Sequence, residues 1–407
     1  MKIMVQKFGG TSVSSRAMRE LAIEHISEAR SSGYAVVVVV SAMGRAGDPY
    51  ATDTLLSLVP SEDQLTERDS DLLLSCGETI SSVVFGAMLR ARGFEVTVLS
   101  GGQAGIRTSD EFGNARIAEI DPGRMLSELR HGRIVVVSGF QGITEDGEVT
   151  TLGRGGSDTT ATALGVALDA DCIDIFTDVD GIMTADPRLV DKAVRLDRVT
   201  YTEICNFAYQ GAKVIHPRAV ELAMQKNIPI RVRATRSKDV GTLVTSASHQ
   251  WETVHAQDRI LTGVTHSANL TQIRVSHPEH ASNFQSPVFT AMAGAGISVD
   301  FFNVTPDEVV FTVPAGKAGR AKAILEHLGL QVRTVEQVAK VAAVGAGIHG
   351  VPGVMARIVS ALTEEGVEIL QSADSNTTIW CLVHEVDLVK AIQAIHQKFD
   401  LHALGGQ

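Results

Sequence analysis

Ile3-Met4-Val5-Gln6-Lys7-Phe8-Gly9-Gly10-Thr11-Ser12 opens the chain, and its reading decides the fold. Ile3 to Val5 reads as a buried strand. Gly9 and Gly10 then let the backbone turn sharply and present N–H groups with no Cβ in the way. Thr11 or Ser12 can cap a following helix, whose N-terminus attracts anions. Lys7 adds a full positive charge beside the turn. Two readings stand at this point: a phosphate site at a strand–turn–helix junction, or an ordinary turn with a solvated lysine.

The same rhythm continues outward. Residues 34–41, 94–99, 133–138, 172–176 and 228–232 are short apolar or β-branched runs, with helical segments between them at 16–30, 71–92 and 159–168. Val36 to Val40 shows no polar alternation, as expected of a strand covered on both faces. Strands alternating with helices indicate an α/β domain with a largely parallel sheet. This pattern ends near Gly241-Thr242-Leu243-Val244, and a polar stretch follows. The expected division is 1–245 for the sheet domain, 246–261 for a linker, and two small α+β units at 262–335 and 336–407.

Those two units form an internal repeat with an offset of 70 residues. Gly296-Ile297-Ser298-Val299 returns as Gly366-Val367-Glu368-Ile369, and Val309 to Val313 as Ile379 to Val383. Each copy reads helix, glycine turn, strand, turn, strand, helix. Gly345-Ala346-Gly347-Ile348-His349-Gly350 also fits G-x-G-x-x-G. Too little chain follows it for a dinucleotide domain, and it sits where the second copy begins.

Composition narrows the function. A chain of 407 residues accommodates two or three domains. A net charge of −11 with few aromatics argues against nucleic acid as the main partner. Cys76, Cys172, Cys205 and Cys381 are scattered without a CxxC pair, which favours buried reduced thiols over disulfides or metal ligands. The apolar run Ala35 to Val40 is too short for a membrane span, and no signal-peptide core is evident, so a cytoplasmic location is the expectation.

Four further clusters fall at expected strand ends, where open parallel sheets bind ligands. Ser41-Ala42-Met43-Gly44 leads a polar loop to Thr52; its hydroxyls either touch substrate or cap a helix near Asp53. Glu78 lies within a mostly apolar helical stretch, where a carboxylate is costly unless paired or solvated. Leu152-Gly153-Arg154-Gly155-Gly156-Ser157-Asp158 is a second glycine-rich loop, with Arg154 able to grip a carboxylate and Asp158 placed at a helix start. Thr177-Asp178-Val179-Asp180-Gly181 continues through Met183 and Asp186 to Arg188. Its carboxylates suggest a metal, but magnesium on a nucleotide is often held mainly by phosphates and water, so no protein metal site is expected. Gly211-Ala212-Lys213 supplies another cation. A P-loop signature, HExxH, G-x-S-x-G and zinc spacing are all lacking.

Taken in order, Lys7 to Ser12, Ser41 to Gly44, Gly77-Glu78, Gly153 to Thr160, Thr177 to Gly181 and Gly211 to Lys213 resemble the aspartate kinases of the amino-acid kinase superfamily. The 70-residue repeats resemble tandem ACT domains, which are ferredoxin-like. The short form and the loop from Gly44 to Asp53 are most similar to the Bacillus-type, diaminopimelate-sensitive members. The resemblance implies transfer of the ATP γ-phosphoryl to the β-carboxylate of L-aspartate, with Mg2+ carried on the nucleotide.

By the same resemblance, Lys7 with the Gly9–Gly10 backbone holds the phosphoryl, Lys213 contacts the nucleotide phosphates, and Asp158 orients the lysines. Phe8, Thr177, Asp178, Met183 and Arg188 line the nucleotide site. Arg154, Gly155 and Gly156 take the substrate α-carboxylate, Glu78 its ammonium, and Ser41 and Thr52 its β-carboxylate. An amino-acid effector (diaminopimelate, lysine or threonine) is implied near Asn303 and Asp374-Ser375-Asn376, with homo-oligomers formed through the ACT-like units. Met183 replaces a tyrosine of many relatives. The first repeat has His277-Pro278-Glu279-His280 where an acidic-x-Pro-Gly turn is usual, whereas the second keeps Pro352-Gly353. A kinase for another small carboxylate, such as N-acetylglutamate, and a catalytically silent amino-acid sensor are the alternative readings.

Overall fold

The structure, a computed structural model, describes residues 1–61, 64–212, 214–246, 260–277, 283–348 and 350–404. Its larger sheet has eight strands. Across it run Arg198–Thr200, Thr242–Thr245, Ile230–Ala234, Cys172–Thr177, Ile3–Phe8, Ala35–Val40, Ile134–Ser138 and Val96–Leu99. All neighbours are parallel except Ile230–Ala234 with Thr242–Thr245. Val36 to Val40 are fully buried, which accounts for their unbroken apolar run. Each such side chain contributes roughly 1.5–3 kcal/mol of burial.

Register sets the position of the site. Phe8 lies opposite both Val40 and Phe176, and Ala234 opposite Thr177. The chain therefore leaves four strands at one edge of the sheet, and the loops after Phe8, Val40, Thr177 and Ala234 converge there. Phe8, Phe176 and Phe85 form the floor, with the first two rings stacked at 4.7 Å.

Helix Glu67–Ala91 is long and apolar enough to cross a membrane. It is instead a core helix of the sheet domain, with Phe85 and Leu89 packed under the sheet and Asp71 and Glu78 buried on the same helix. A four-stranded sheet of Ile117–Ile120, Ile106–Thr108, Gln141–Ile143 and Val149–Thr151 flanks it. This small sheet is absent from the sequence reading, although Asp146-Gly147 is a strong hairpin-turn signal.

The repeat builds a six-stranded antiparallel sheet in the order Asp300–Val304, Glu308–Pro314, Gly263–Ser276, Gln331–Val344, Thr378–His384, Gln371–Asp374. The corresponding helices are Gln285–Gly294 and Val354–Glu364, followed by turns at Gly296 and Gly366, both with positive φ. The two central strands serve both halves. Residues 263–267 pair with 340–344 in one half, and 270–276 with 331–338 in the other. Both strands bend between the halves, at Asn269 and Gln337, whose φ values are 59° and 52°. The second half therefore takes a strand that precedes the first half in sequence. The G-x-G-x-x-G segment leads from this sheet into helix Val354–Glu364 and belongs to no dinucleotide fold.

The cysteines are free; Cys205 and Cys381 are buried, but Cys76 is exposed, against expectation, because it faces outward on helix Glu67–Ala91.

Candidate active site

The glycine turn does not cap a long helix as expected. Gly10–Val13 is a single helical turn with no side-chain cap. The longer helix Arg16–Ser31 is capped by Ser15, whose hydroxyl accepts from the Met18 amide. Ser12 is buried instead and accepts a hydrogen bond from the Thr235 hydroxyl at 2.7 Å. Gly10 is required by crowding: a Cβ there would lie 2.5 Å from the Gly44 carbonyl oxygen and 2.8 Å from that of Ala42. The Gly9 amide donates to the Phe176 carbonyl at 3.3 Å, so it is already engaged. Phe8, read as a nucleotide-site residue, has its ring wholly in the core and supports the site only from below.

Lys7 Nζ stands 2.6 Å from Asp158 Oδ1, with both side chains largely shielded. Asp158 lies in the first turn of helix Gly156–Ala167, and its Oδ2 accepts from the His216 amide at 3.4 Å. That contact draws in the chain just beyond Lys213, which itself lies outside the described residues. Gly155 adopts φ 72°, and a Cβ there would strike the His216 ring at 2.4 Å. Burial lowers the His216 pKa, keeping the imidazole neutral beside the loop.

Glu78 is buried, so its solvated reading falls. Its Oε1 accepts from the Ala42 amide at 3.0 Å, and Oε2 has no partner among the described residues. Burial pushes its carboxyl up to about 7, against the pull of the Ala42 amide. The contact brings Glu78 against the loop of Ser41. Thr52 begins the short helix Thr52–Leu56, whose N-cap Ala51 offers no side-chain bond, so the capping reading of the loop hydroxyls is not realised. Arg154 is exposed, forms no ion pair among the described residues, and precedes the Gly155–Gly156 turn.

A cleft of about 670 Å³ opens between Thr11, Gly44, Asp48, Thr177, Asp178 and Arg236. Arg45 spans it, 2.5 Å from Asp178 Oδ2. Burial works against ionisation of Asp178, but its own amide, the Thr177 hydroxyl and Arg45 hold its pKa below the usual range. Arg45 and Arg236 were missed in the sequence, where Arg45 sits between Gly44 and Gly47 but shows no partner and Arg236 lies in no glycine loop. Arg188 turns to Asp186 at 2.7 Å and is largely exposed. Met183 is half-buried and bridges to Arg195. Among the described residues no cluster of three metal-binding side chains occurs.

Asn303 and Asp374 are exposed on opposite edge strands of the six-stranded sheet, so one chain does not bring them together. Thr377, next to Asn376, accepts a 2.8 Å hydrogen bond from the Asn206 amide on helix Tyr201–Tyr209, which leads directly to Gly211 and Lys213. Pro278, Glu279 and His280 lie outside the described residues.

A sheet-edge lysine–aspartate pair between glycine loops, joined to a repeat-built antiparallel sheet, defines a small-molecule kinase with a regulatory half. Sequence comparison agrees. The profile of the amino acid kinase family matches residues 2–234, and that of the ACT domain matches 333–397. Aspartokinase 1 of Bacillus subtilis is 58% identical over 98% of this chain and 100% of its own. The aspartokinase of Geobacillus stearothermophilus is 39% identical over 98% of each. The crystal structure of Escherichia coli aspartokinase III with aspartate and ADP superposes with a TM-score of 0.78 at 26% identity, covering 98% of this chain and 99% of that one. The chain belongs to the amino acid kinase family and, within it, to the aspartokinases.

Proposed function

We propose that the sheet edge around Lys7 and Asp158 is where this ATP-dependent aspartate kinase passes the γ-phosphoryl of ATP to the β-carboxylate of L-aspartate, giving ADP and 4-phospho-L-aspartate. The observation that carries the substrate assignment is Glu78: a buried carboxylate with one oxygen bonded to Ala42 and the other unpartnered. An ammonium group satisfies such a carboxylate, and an acylated amine does not. This disfavours N-acetylglutamate. The ion-paired Lys7 and Asp158 disfavour a silent sensor.

The acceptor carboxylate is already ionised near neutral pH, so the reaction needs no general base. Catalysis rests on positioning and on stabilising charge on the transferring group. Lys7 supplies that charge, with the amides of Gly10 and Thr11 at the start of the one-turn helix; the engaged Gly9 amide drops out of the cradle. Asp158 orients Lys7, and Lys213 attends the nucleotide phosphates. Arg154, with the Gly155–Gly156 backbone, takes the α-carboxylate, and Ser41 and Thr52 the β-carboxylate. Thr177, Asp178, Met183 and Arg188 serve the nucleotide. The Asp178 and Asp180 carboxylates on the cleft wall are hard oxygen donors that, with the phosphates and water, would hold a Mg2+ ion, which would neutralise phosphate charge when bound with the nucleotide.

The product opens the route to lysine, diaminopimelate, threonine and methionine. Residues 1–245 form the catalytic domain in this reading, 246–261 the linker, and 262–335 and 336–407 the two ACT-like units, which exchange a strand at 263–267. Those units bind an amino-acid effector around Asn303 and Asp374 to Asn376. The exposed edge Asp300–Val304, with Phe302 and Val304 uncovered, favours homo-oligomers through this sheet. A cytoplasmic enzyme fits this substrate set.

A coupled ADP-release assay with aspartate, N-acetylglutamate or no acceptor tests the reading. Aspartate-dependent release alone supports it; release with N-acetylglutamate, or none with either, overturns it.

A further inference from the structure

Asp71 is fully buried without a cation partner among the described residues. Three donors converge on it instead, through four contacts. The Gly113 amide reaches Oδ1 and Oδ2 at 3.0 and 2.9 Å, the Thr151 amide reaches Oδ2 at 2.7 Å, and the Thr151 hydroxyl reaches Oδ1 at 2.6 Å. Charge-assisted bonds of this kind are short and directional, and they fix both segments that supply them. Those segments are also joined to each other, the Ala115 amide donating to the Thr151 carbonyl at 2.9 Å. From the far side Arg218 donates to the carbonyls of Leu152 and Ala115, at 3.4 and 3.2 Å.

The clamped chain is the approach to Arg154. Thr151 lies three residues before it, and the intervening Gly153, at φ 71°, runs close to the Gly113 carbonyl oxygen, which a Cβ there would meet at 3.2 Å. Asp71 also lies seven residues, about two helical turns, before Glu78 in helix Glu67–Ala91, which puts both carboxylates on one buried face. That face carries Glu78 directly, and it carries the loop of Arg154 through Asp71.

We propose that Asp71 is a positioning residue for the amino-acid substrate: it sets Arg154 against Glu78 and so fixes the span between the carboxylate and ammonium subsites. The proposal rests on the reading of Glu78 and Arg154 as the aspartate-binding pair. Asparagine has the shape of Asp71 but turns one acceptor into a donor facing an N–H. The charge that tightened these bonds is lost and Gly113 faces an NH2, so the loop is held less firmly, and Arg154 with it.

The test is steady-state kinetics of the full-length enzyme, with aspartate and ATP varied separately and thermal unfolding followed alongside, for Asp71→Asn, Thr151→Val and Arg154→Lys. Asp71→Asn is expected to raise the KM for aspartate about tenfold or more, the scale of a misplaced binding group, with the KM for ATP within about twofold. Thr151→Val loses only the hydroxyl donor and gives a smaller rise with the same selectivity. A purely structural role predicts lower thermal stability with both KM values unchanged or moved together, and either result overturns the proposal. If Asp71→Asn does not fold, Thr151→Val decides by the same criterion. An unchanged KM for aspartate in Arg154→Lys overturns the substrate-site reading and this proposal with it. A raised KM there beside an unchanged one in Asp71→Asn overturns the proposal alone.

Discussion

The Lys7 ammonium, at the end of strand Ile3–Phe8, and the Asp158 carboxylate, in the first turn of helix Gly156–Ala167, meet at 2.6 Å although they are 151 residues apart in sequence. Each holds the other in a partly dry cleft, where a displaced charge is not replaced cheaply by water. Lys7→Ala is therefore expected to lower kcat by at least about a hundredfold, on the scale of losing one preorganised charge at the transferring group. Asp158→Asn is expected to lower kcat less, because the lysine remains but is no longer aimed. Thermal unfolding and effector binding should be largely retained in both. A Lys7→Ala enzyme with near-normal turnover returns the glycine turn to an ordinary turn.

On the proposed role of Glu78, substrate recognition is tied to pH. Its carboxyl is raised to about 7, so below that pH the free enzyme holds it neutral and unable to pair with an ammonium. The kcat/KM for aspartate should fall towards tenfold per pH unit below 7 and level off above it. A flat profile between pH 5.5 and 8 sinks the assignment. The same burial bears on stability with a definite sign. The folded-state pKa lies above the ordinary value of 4.5, so the folded protein binds the proton more tightly than the unfolded chain. Stability is then lost as pH rises from 4.5 to 7, about 3 kcal/mol at the full shift. Glu78→Gln removes that charge. It should unfold at a higher temperature than the parent at pH 8, match it at pH 5, and bind aspartate poorly at both.

How far the sequence carried this site depends on which interactions are local. The strand–glycine–helix order is local, and the positions of Lys7, Ser41 and Thr177 followed from it because parallel strands must release their loops at one edge. The 70-residue repeat likewise foretold both helices and both hairpins of the second sheet. Burial of Glu78 was not legible, since serines on the same helix read equally well as a wet face; here they sit inside, Ser82 hydrogen-bonded to Ser138. The shared strands of residues 263–276 and 331–344 were hidden too. Nothing in a repeat offset says that one copy borrows a strand from ahead of the other. Arg45 escaped for a related reason: its partner Asp178 is 133 residues away, and only the fold makes them neighbours.

Asp374 is exposed at the end of strand Gln371–Asp374, beside Ser375, whose hydroxyl accepts from the Thr378 amide at 3.1 Å and shapes the turn. A carboxylate on an ordered turn suits an effector carrying a second ammonium group. Asp374→Asn is expected to weaken the response to diaminopimelate or lysine at least fivefold in effector concentration, the low end of an ordinary coupling of about 1–3 kcal/mol, with little change in response to threonine. Full diaminopimelate and lysine sensitivity in that variant overturns the assignment.

The turn of Asp374 to Asn376 reaches the kinase half through its next residue. Thr377 accepts from Asn206, and helix Tyr201–Tyr209 runs from that contact to Gly211, which is packed so tightly on the regulatory sheet that a Cβ would lie 2.0 Å from the His266 carbonyl oxygen. A second contact joins the halves at the nucleotide loop, where His396 Nε2 lies 2.9 Å from the Thr184 hydroxyl, one residue beyond Met183. Either can carry a shift of the turn proposed to bind the effector into the catalytic loops, but only the first begins at that turn. Asn206→Ala is therefore expected to keep basal kcat and the KM for aspartate within about twofold while flattening the effector response, since an exchange of one neutral hydrogen bond costs only about 1 kcal/mol. His396→Gln should change the KM for ATP more than the effector response. Inhibition curves with diaminopimelate, lysine and threonine on both variants test the two routes: an undiminished response in Asn206→Ala overturns the Asn206–Thr377 route, and a diminished one in His396→Gln supports the contact at Thr184 instead.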